Sequence, residues 1–231
     1  MEAGALGPFN ALFLPLFPAT VERFFEAIFQ VEGWTQIVVL NDFMAIYTVI
    51  FWLGLFDVLR AVVVPTGYLD VLLSKPLSRS RYLFAKLAPA FGSVALVGLV
   101  GGLAHGLSAA WVGPLDAGAF AAGVAVTIGL AALCCAVVTV ATLYLRETYH
   151  AIVIGFAIWM ATLLPGSIYM YRPDVFTRYE GLHEAIVYPM NVVWMDASGV
   201  TIAWLVSAAS IVLVAAIVGA AGWLFERRDV G

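Results

Sequence analysis

The chain has 231 residues, 63% of them hydrophobic and only 11% charged, with a net charge of −4. Soluble domains carry about a quarter charged residues, so a soluble fold of this size would leave a large apolar patch in water. The composition therefore excludes an ordinary soluble enzyme, and the absence of any basic tract excludes a nucleic-acid binder.

Residues 1–33 form a segment of their own. Phe9 to Phe17 is apolar but too short to span a bilayer, and Pro8, Pro15 and Pro18 interrupt it. A signal peptide opens on basic residues, whereas this start has Glu2 and no Lys or Arg before Arg23. Val21 to Phe29 is amphipathic at helical spacing, with Val21, Phe24, Phe25 and Ile28 on one side and Glu22, Arg23 and Glu26 off it. It reads as a surface helix at the membrane, and Phe9–Phe17 as the remnant of a degenerate sixth span.

Residues 34–231 contain five clear apolar runs, at about Trp34–Phe56, Ala88–Val112, Ala117–Tyr144, His150–Met170 and Val200–Phe225. Crossing a hydrocarbon core ~30 Å thick takes roughly 20 helical residues. Inside lipid the backbone must satisfy its own hydrogen bonds, so these runs are expected as helices. A transmembrane barrel shows alternating polarity instead, and none is present. The fold class is thus an all-α polytopic membrane bundle. Trp34, Trp111, Tyr144, Trp194 and Trp223 sit near span ends, where amphipathic rings favour the headgroup level.

Basic residues in short loops mark the cytoplasmic side. If the spans alternate, Arg60, Lys75, Arg79, Arg81, Lys86, Arg146, Arg227 and Arg228 share one face, and Arg23, Arg172 and Arg178 share the other. The first face is expected to be cytoplasmic, with the C-terminus inside and the connection Tyr171–Gly199 outside.

The loop at residues 57–87 carries the most information. Tyr68 to Ser74 is a short apolar helix candidate with Asp70 near its start, favourable to the helix dipole. Pro76 turns Lys75 away from helix and ends it. Ser78 is suited to cap a following helix that runs through Tyr82, Leu83 and Phe84 into the second span. The plain alternative is an interfacial helix in a positive-inside loop.

The stretch Leu72-Leu-Ser-Lys-Pro-Leu-Ser-Arg-Ser-Arg-Tyr-Leu-Phe-Ala-Lys-Leu87 resembles the cytoplasmic loop of type-two ATP-binding-cassette (ABC) permeases: leucines, a small residue, Pro-Leu/Val-Ser-Arg, then a helix with a Lys. The tail Gly222-Trp-Leu-Phe-Glu-Arg-Arg-Asp-Val230 is similar to that family's ending. Among its members the chain most resembles the permeases that accompany nitrous-oxide-reductase maturation. The family has six spans and a basic amphipathic helix before the first, and neither is evident here. The resemblance implies a non-enzymatic permease subunit of an exporter in the plasma membrane of a prokaryote. It would pair with a second copy or a paralogue, and with two ABC ATPase subunits that hold the ATP and magnesium. Tyr68–Ser74 would be the coupling helix, docking through Leu69, Leu72 and Leu73, with Lys75, Pro76, Arg79 and Arg81 flanking the contact.

No Gly-x-x-x-x-Gly-Lys-Ser/Thr phosphate loop occurs, so ATP-driven transport requires a partner ATPase. The chain itself calls for no cofactor or metal, and no catalytic residue is assigned. Gly98, Gly102 and Gly106 recur every four residues and suit close approach of another helix. Two ionisable residues fall within spans, Asp42 and His105, and such residues are functional candidates. The competing reading of each is structural: a histidine bonded to a neighbouring carbonyl, and an aspartate turned into the bundle because a carboxylate in lipid costs ~2.5–3.5 kcal/mol. An intramembrane enzyme would need both at one depth, whereas a passive scaffold would have no ATPase partner. Cys134 and Cys135 are adjacent within an apolar run, a spacing that fits no zinc site or disulfide framework, and are expected as buried thiols.

Overall fold

The computed structural model describes residues 34–62, 78–112, 115–145, 148–171 and 197–227. They form five helices: α1 (Trp34–Val62), α2 (Arg79–Val112), α3 (Ala117–Leu145), α4 (Thr148–Tyr171) and α5 (Ala197–Glu226). No strand occurs among the described residues. Four helices contain stretches long and apolar enough to cross a membrane: Ala45–Val62, Arg79–Ser108, Ala117–Leu145 and Val200–Glu226. The chain is a multi-pass membrane protein. α4 contributes the shorter apolar stretch Thr148–Thr162, so four of the five expected spans meet the length requirement among the described residues.

Two helices are longer than their apolar runs. α1 continues past Phe56 to Val62, which draws Asp57 and Arg60 out of the expected loop and onto the helix. α2 begins at Arg79, nine residues before its apolar run at Ala88, and carries Pro89 inside it. Proline removes one backbone donor and crowds the carbonyl four residues earlier. Here that residue is Ala85, exposed and small, so the crowding falls on an open face.

Local signals start two of the helices. Ser78 caps α2: its Oγ accepts from Arg81 N at 3.4 Å, and its carbonyl accepts from Tyr82 N at 3.1 Å. Asp116 caps α3, its Oδ1 accepting from Gly118 N at 2.8 Å and from Ala119 N at 3.1 Å. Both satisfy amides that have no partner inside the first helical turn.

α3 is the central helix and packs against each of the other four. It has no charged residue, and its buried positions are mostly small: Ala119, Ala122, Gly123, Gly129, Ala131, Cys134, Cys135 and Ala136 among them. In lipid, helices have no hydrophobic drive toward one another, so small residues that permit close backbone approach take over that role. Its threonines fold back on the helix: Thr127, Thr139 and Thr142 donate to the carbonyls of Gly123, Cys135 and Val138 at 2.7–2.8 Å. Each buried hydroxyl is thereby satisfied without a partner on another helix.

Candidate functional site

The residues expected to dock an ATPase divide between described and undescribed parts of the chain. Tyr68, Leu69, Leu72, Leu73, Lys75 and Pro76 lie outside the described residues. Arg79 and Arg81 open α2, with Arg81 exposed. Between them Ser80 Oγ donates to Glu226 Oε1 at 2.6 Å, joining the start of α2 to the end of α5 across 146 residues. One turn further in, a Cβ at Gly222 would stand 2.5 Å from Phe84 Cζ, so the Phe84 ring lies directly on the α5 backbone. Leu83, Leu87, Ala221 and Phe225 are buried in one cluster behind that contact. The basic start of α2 and the end of α5 thus converge at one end of the bundle.

The glycine stripe faces α3. A Cβ at Gly98 would lie 2.5 Å from Ile128 Cγ1, one at Gly102 would lie 2.8 Å from Val124 Cγ2, and one at Gly106 would lie 2.9 Å from Phe120 Cε1. The spacing of four marks the contacting face. The residues opposite descend along α3 as the stripe ascends α2, as two neighbouring antiparallel helices require. Beside this seam lies a groove of about 470 Å³, lined by apolar side chains that include Leu103, Leu107, Phe120 and Trp204. Such a lining offers contact surface but no group for chemistry.

The two intramembrane candidates stand differently. His105 is buried on α2, with its ring 5.9 Å from that of Phe120 and tilted by 40°, beside the glycine seam. Asp42 lies on α1, but its side chain is outside the described residues, as is any relation between the two. Among the described residues no three His, Cys, Asp or Glu side chains gather where they could hold a metal.

Besides the Ser80–Glu226 bond, two contacts made by polar side chains of α1 escaped the sequence reading. Ser93 on α2 donates to Asp57 Oδ2 on α1 at 2.8 Å, and the same hydroxyl lies 2.8 Å from Ala90 O. With the first span ended at Phe56, Asp57 read as a loop residue. The available signal was helical spacing, because Asp57 falls three and seven positions after Gly54 and Ile50, both buried. The second contact joins three helices. Tyr47 OH on α1 lies 2.7 Å from Thr162 Oγ1 on α4 and 3.5 Å from Cys134 Sγ on α3. Thr162 also donates to Trp159 O at 2.8 Å, so a hydrogen-bonded chain can run from the thiol to the α4 backbone. Cys134 and Cys135 are buried and free. These contacts orient helices rather than assemble a reactive pair.

Interhelical hydrogen bonds in membranes are worth about 0.6 kcal/mol on average and up to about 1.7. Tyr47→Phe keeps the ring that stacks on Phe51 at 6.1 Å and removes only the hydroxyl. Its expected cost is therefore about 0.6–1.7 kcal/mol, read as a lowered unfolding midpoint in detergent. A variant as stable as wild type would show that the Tyr47 hydroxyl adds nothing to the packing.

Comparison with family models, with curated proteins and with solved structures finds no match to this chain.

Proposed function

We propose that the chain is the membrane-spanning permease subunit of an ABC exporter with five spans. It would couple ATP hydrolysis on a separate subunit to movement of a substrate across the plasma membrane of a prokaryote. The observation that carries this reading is the meeting of the two stretches whose sequence resembles that family. The described parts of those stretches, residues 78–87 and 222–227, come together through the 2.6 Å Ser80–Glu226 contact and the seating of Phe84 on Gly222. A partner docked on the loop would therefore press on α2 and α5 together. α2 meets α3 along the glycine seam, and α3 touches every other helix, so displacement at that end reaches the whole bundle. The ATPase supplies the ATP site and its magnesium, and a second permease copy or a paralogue completes the assembly.

Affinity purification of the tagged chain from its native membrane tests the reading. The expected co-purifying protein carries a phosphate loop and hydrolyses ATP. Purification of the intact chain with no ATPase would favour a passive scaffold. An intramembrane enzyme would require Asp42 and His105 at one depth.

The orientation has its own test. With eight basic residues on one face and three on the other, Arg79 and Arg228 are expected in the cytoplasm and Arg178 outside. An impermeant thiol reagent applied to intact cells should label Arg178→Cys and leave Arg79→Cys and Arg228→Cys unlabelled until the membrane is permeabilised. The reverse pattern would invert the topology.

A further inference from the structure

We infer that the lipid-facing side of the α2–α5 seam binds an anionic phospholipid, with its phosphate between Arg81 and Arg227 and an acyl chain along Phe84 and Trp223. The Ser80–Glu226 hydrogen bond places residues 80 and 226 face to face. In α2 the buried Leu83 and Leu87 lie on one side of that contact. Arg81 follows Ser80 by ~100° of helical rotation and so falls on the other side. In α5 the buried Ala221 and Phe225 lie on the core side of Gly222 and Glu226. Trp223 and Arg227 fall on the opposite side by the same rotation. Both arginines thus emerge on the outer side of one seam, and both are exposed.

The chemistry at this place is specific. Arg227 lies over the Trp223 ring, 3.9 Å from its centroid, which holds the guanidinium near the end of α5, at the headgroup level that tryptophan favours. Neither Arg81 nor Arg227 is in an ion pair among the described residues. Glu226, the residue before Arg227, accepts from Ser80 within the seam. Below the arginines, Phe84 and Trp223 remain 40% and 52% exposed and form an apolar track into the bilayer. Two guanidinium forks match the oxygens of a phosphodiester. A zwitterionic lipid brings its own ammonium to the same place and is repelled. Lys86 is exposed on the same helix but lies over Tyr82, 5.9 Å from its ring centroid. It is rotated away from the seam, which makes it the internal control.

The proposal needs only a membrane-spanning chain and stands or falls separately from the transporter reading. Native mass spectrometry of the purified full chain, in detergent with equal amounts of phosphatidylglycerol and phosphatidylcholine of matched chains, is the test. Wild type is expected to retain phosphatidylglycerol preferentially. Each basic residue at an anionic surface is worth roughly fivefold in affinity, so R81Q/R227Q should lower the preference about thirtyfold. K86Q should leave it in place, and R81K/R227K should keep most of it. Equal retention of the two lipids by wild type would overturn the proposal without recourse to any variant. So would an equal loss in K86Q, which would indicate diffuse charge, or complete displacement of phosphatidylglycerol by millimolar inorganic phosphate, which would indicate a soluble anion.

Discussion

Replacing Leu72 and Leu73 together by serine is expected, on the proposed function, to release a docked ATPase from the chain while the helices remain inserted. Interfaces are held by apolar side chains in their buried centre, and charges at the rim steer approach more than they supply affinity. Burying a leucine is worth about 1.5–3 kcal/mol. Loss of both therefore removes at least about 3 kcal/mol, or more than a hundredfold in affinity. Both residues fall between the end of α1 at Val62 and the start of α2 at Arg79, and an unchanged unfolding midpoint is the check that the bundle is intact. Neutralising Arg79 and Arg81 is expected to weaken the complex less, and in a salt-dependent way, because exposed charges are screened over roughly 10 Å at 0.1 M salt. Co-purification at low and high salt reads both effects. Full retention of the ATPase by the leucine variant would remove the loop from the docking surface.

Gly102→Leu is the second large expected effect, and it acts on folding rather than on partners. The first added carbon alone would stand 2.8 Å from Val124 Cγ2 and 2.9 Å from Cγ1. Val124 is β-branched and stiff at χ1, so it cannot swing its methyl groups aside, and three further carbons remain to be placed. Overpacking a tight core costs about 1–3 kcal/mol, and four carbons against the central helix belong at or above the top of that range. The expected result is loss of the monodisperse species on size exclusion, or a sharply lower unfolding midpoint. Gly102→Ala should be milder, and Val124→Ala should partly rescue it by opening the space opposite. The same substitution at Gly92, where an added Cβ meets nothing within 4 Å, should be tolerated. Wild-type stability in the Gly102→Leu variant would mean that α2 and α3 do not pack through this stripe.

Several features were legible in the sequence because their causes are local. Five apolar runs of helical length follow from the thickness of the bilayer and the need for internal hydrogen bonds, and each coincides with a helix. Ser78 was readable as a cap because a cap acts within one turn. The spacing of Gly98, Gly102 and Gly106 placed them on one face of α2, since helical geometry alone sets that phase.

What only the tertiary structure decided is which faces meet. All five runs are apolar, so hydropathy could not rank α3 as the central helix; its position depends on small residues fitting four neighbours at once. Asp57 looked like the end of a span because a charge usually marks one. The Ser93 hydroxyl, 36 residues on, lets it sit within the bundle. Tyr47 gave no sign of reaching Cys134 or Thr162, 87 and 115 positions away. Nor did Ser80 point to Glu226, the contact that ties the loop to the tail. Helices form from interactions a few residues apart, whereas such contacts depend on the relative placement of whole helices, to which a pattern read along one chain segment carries no reference.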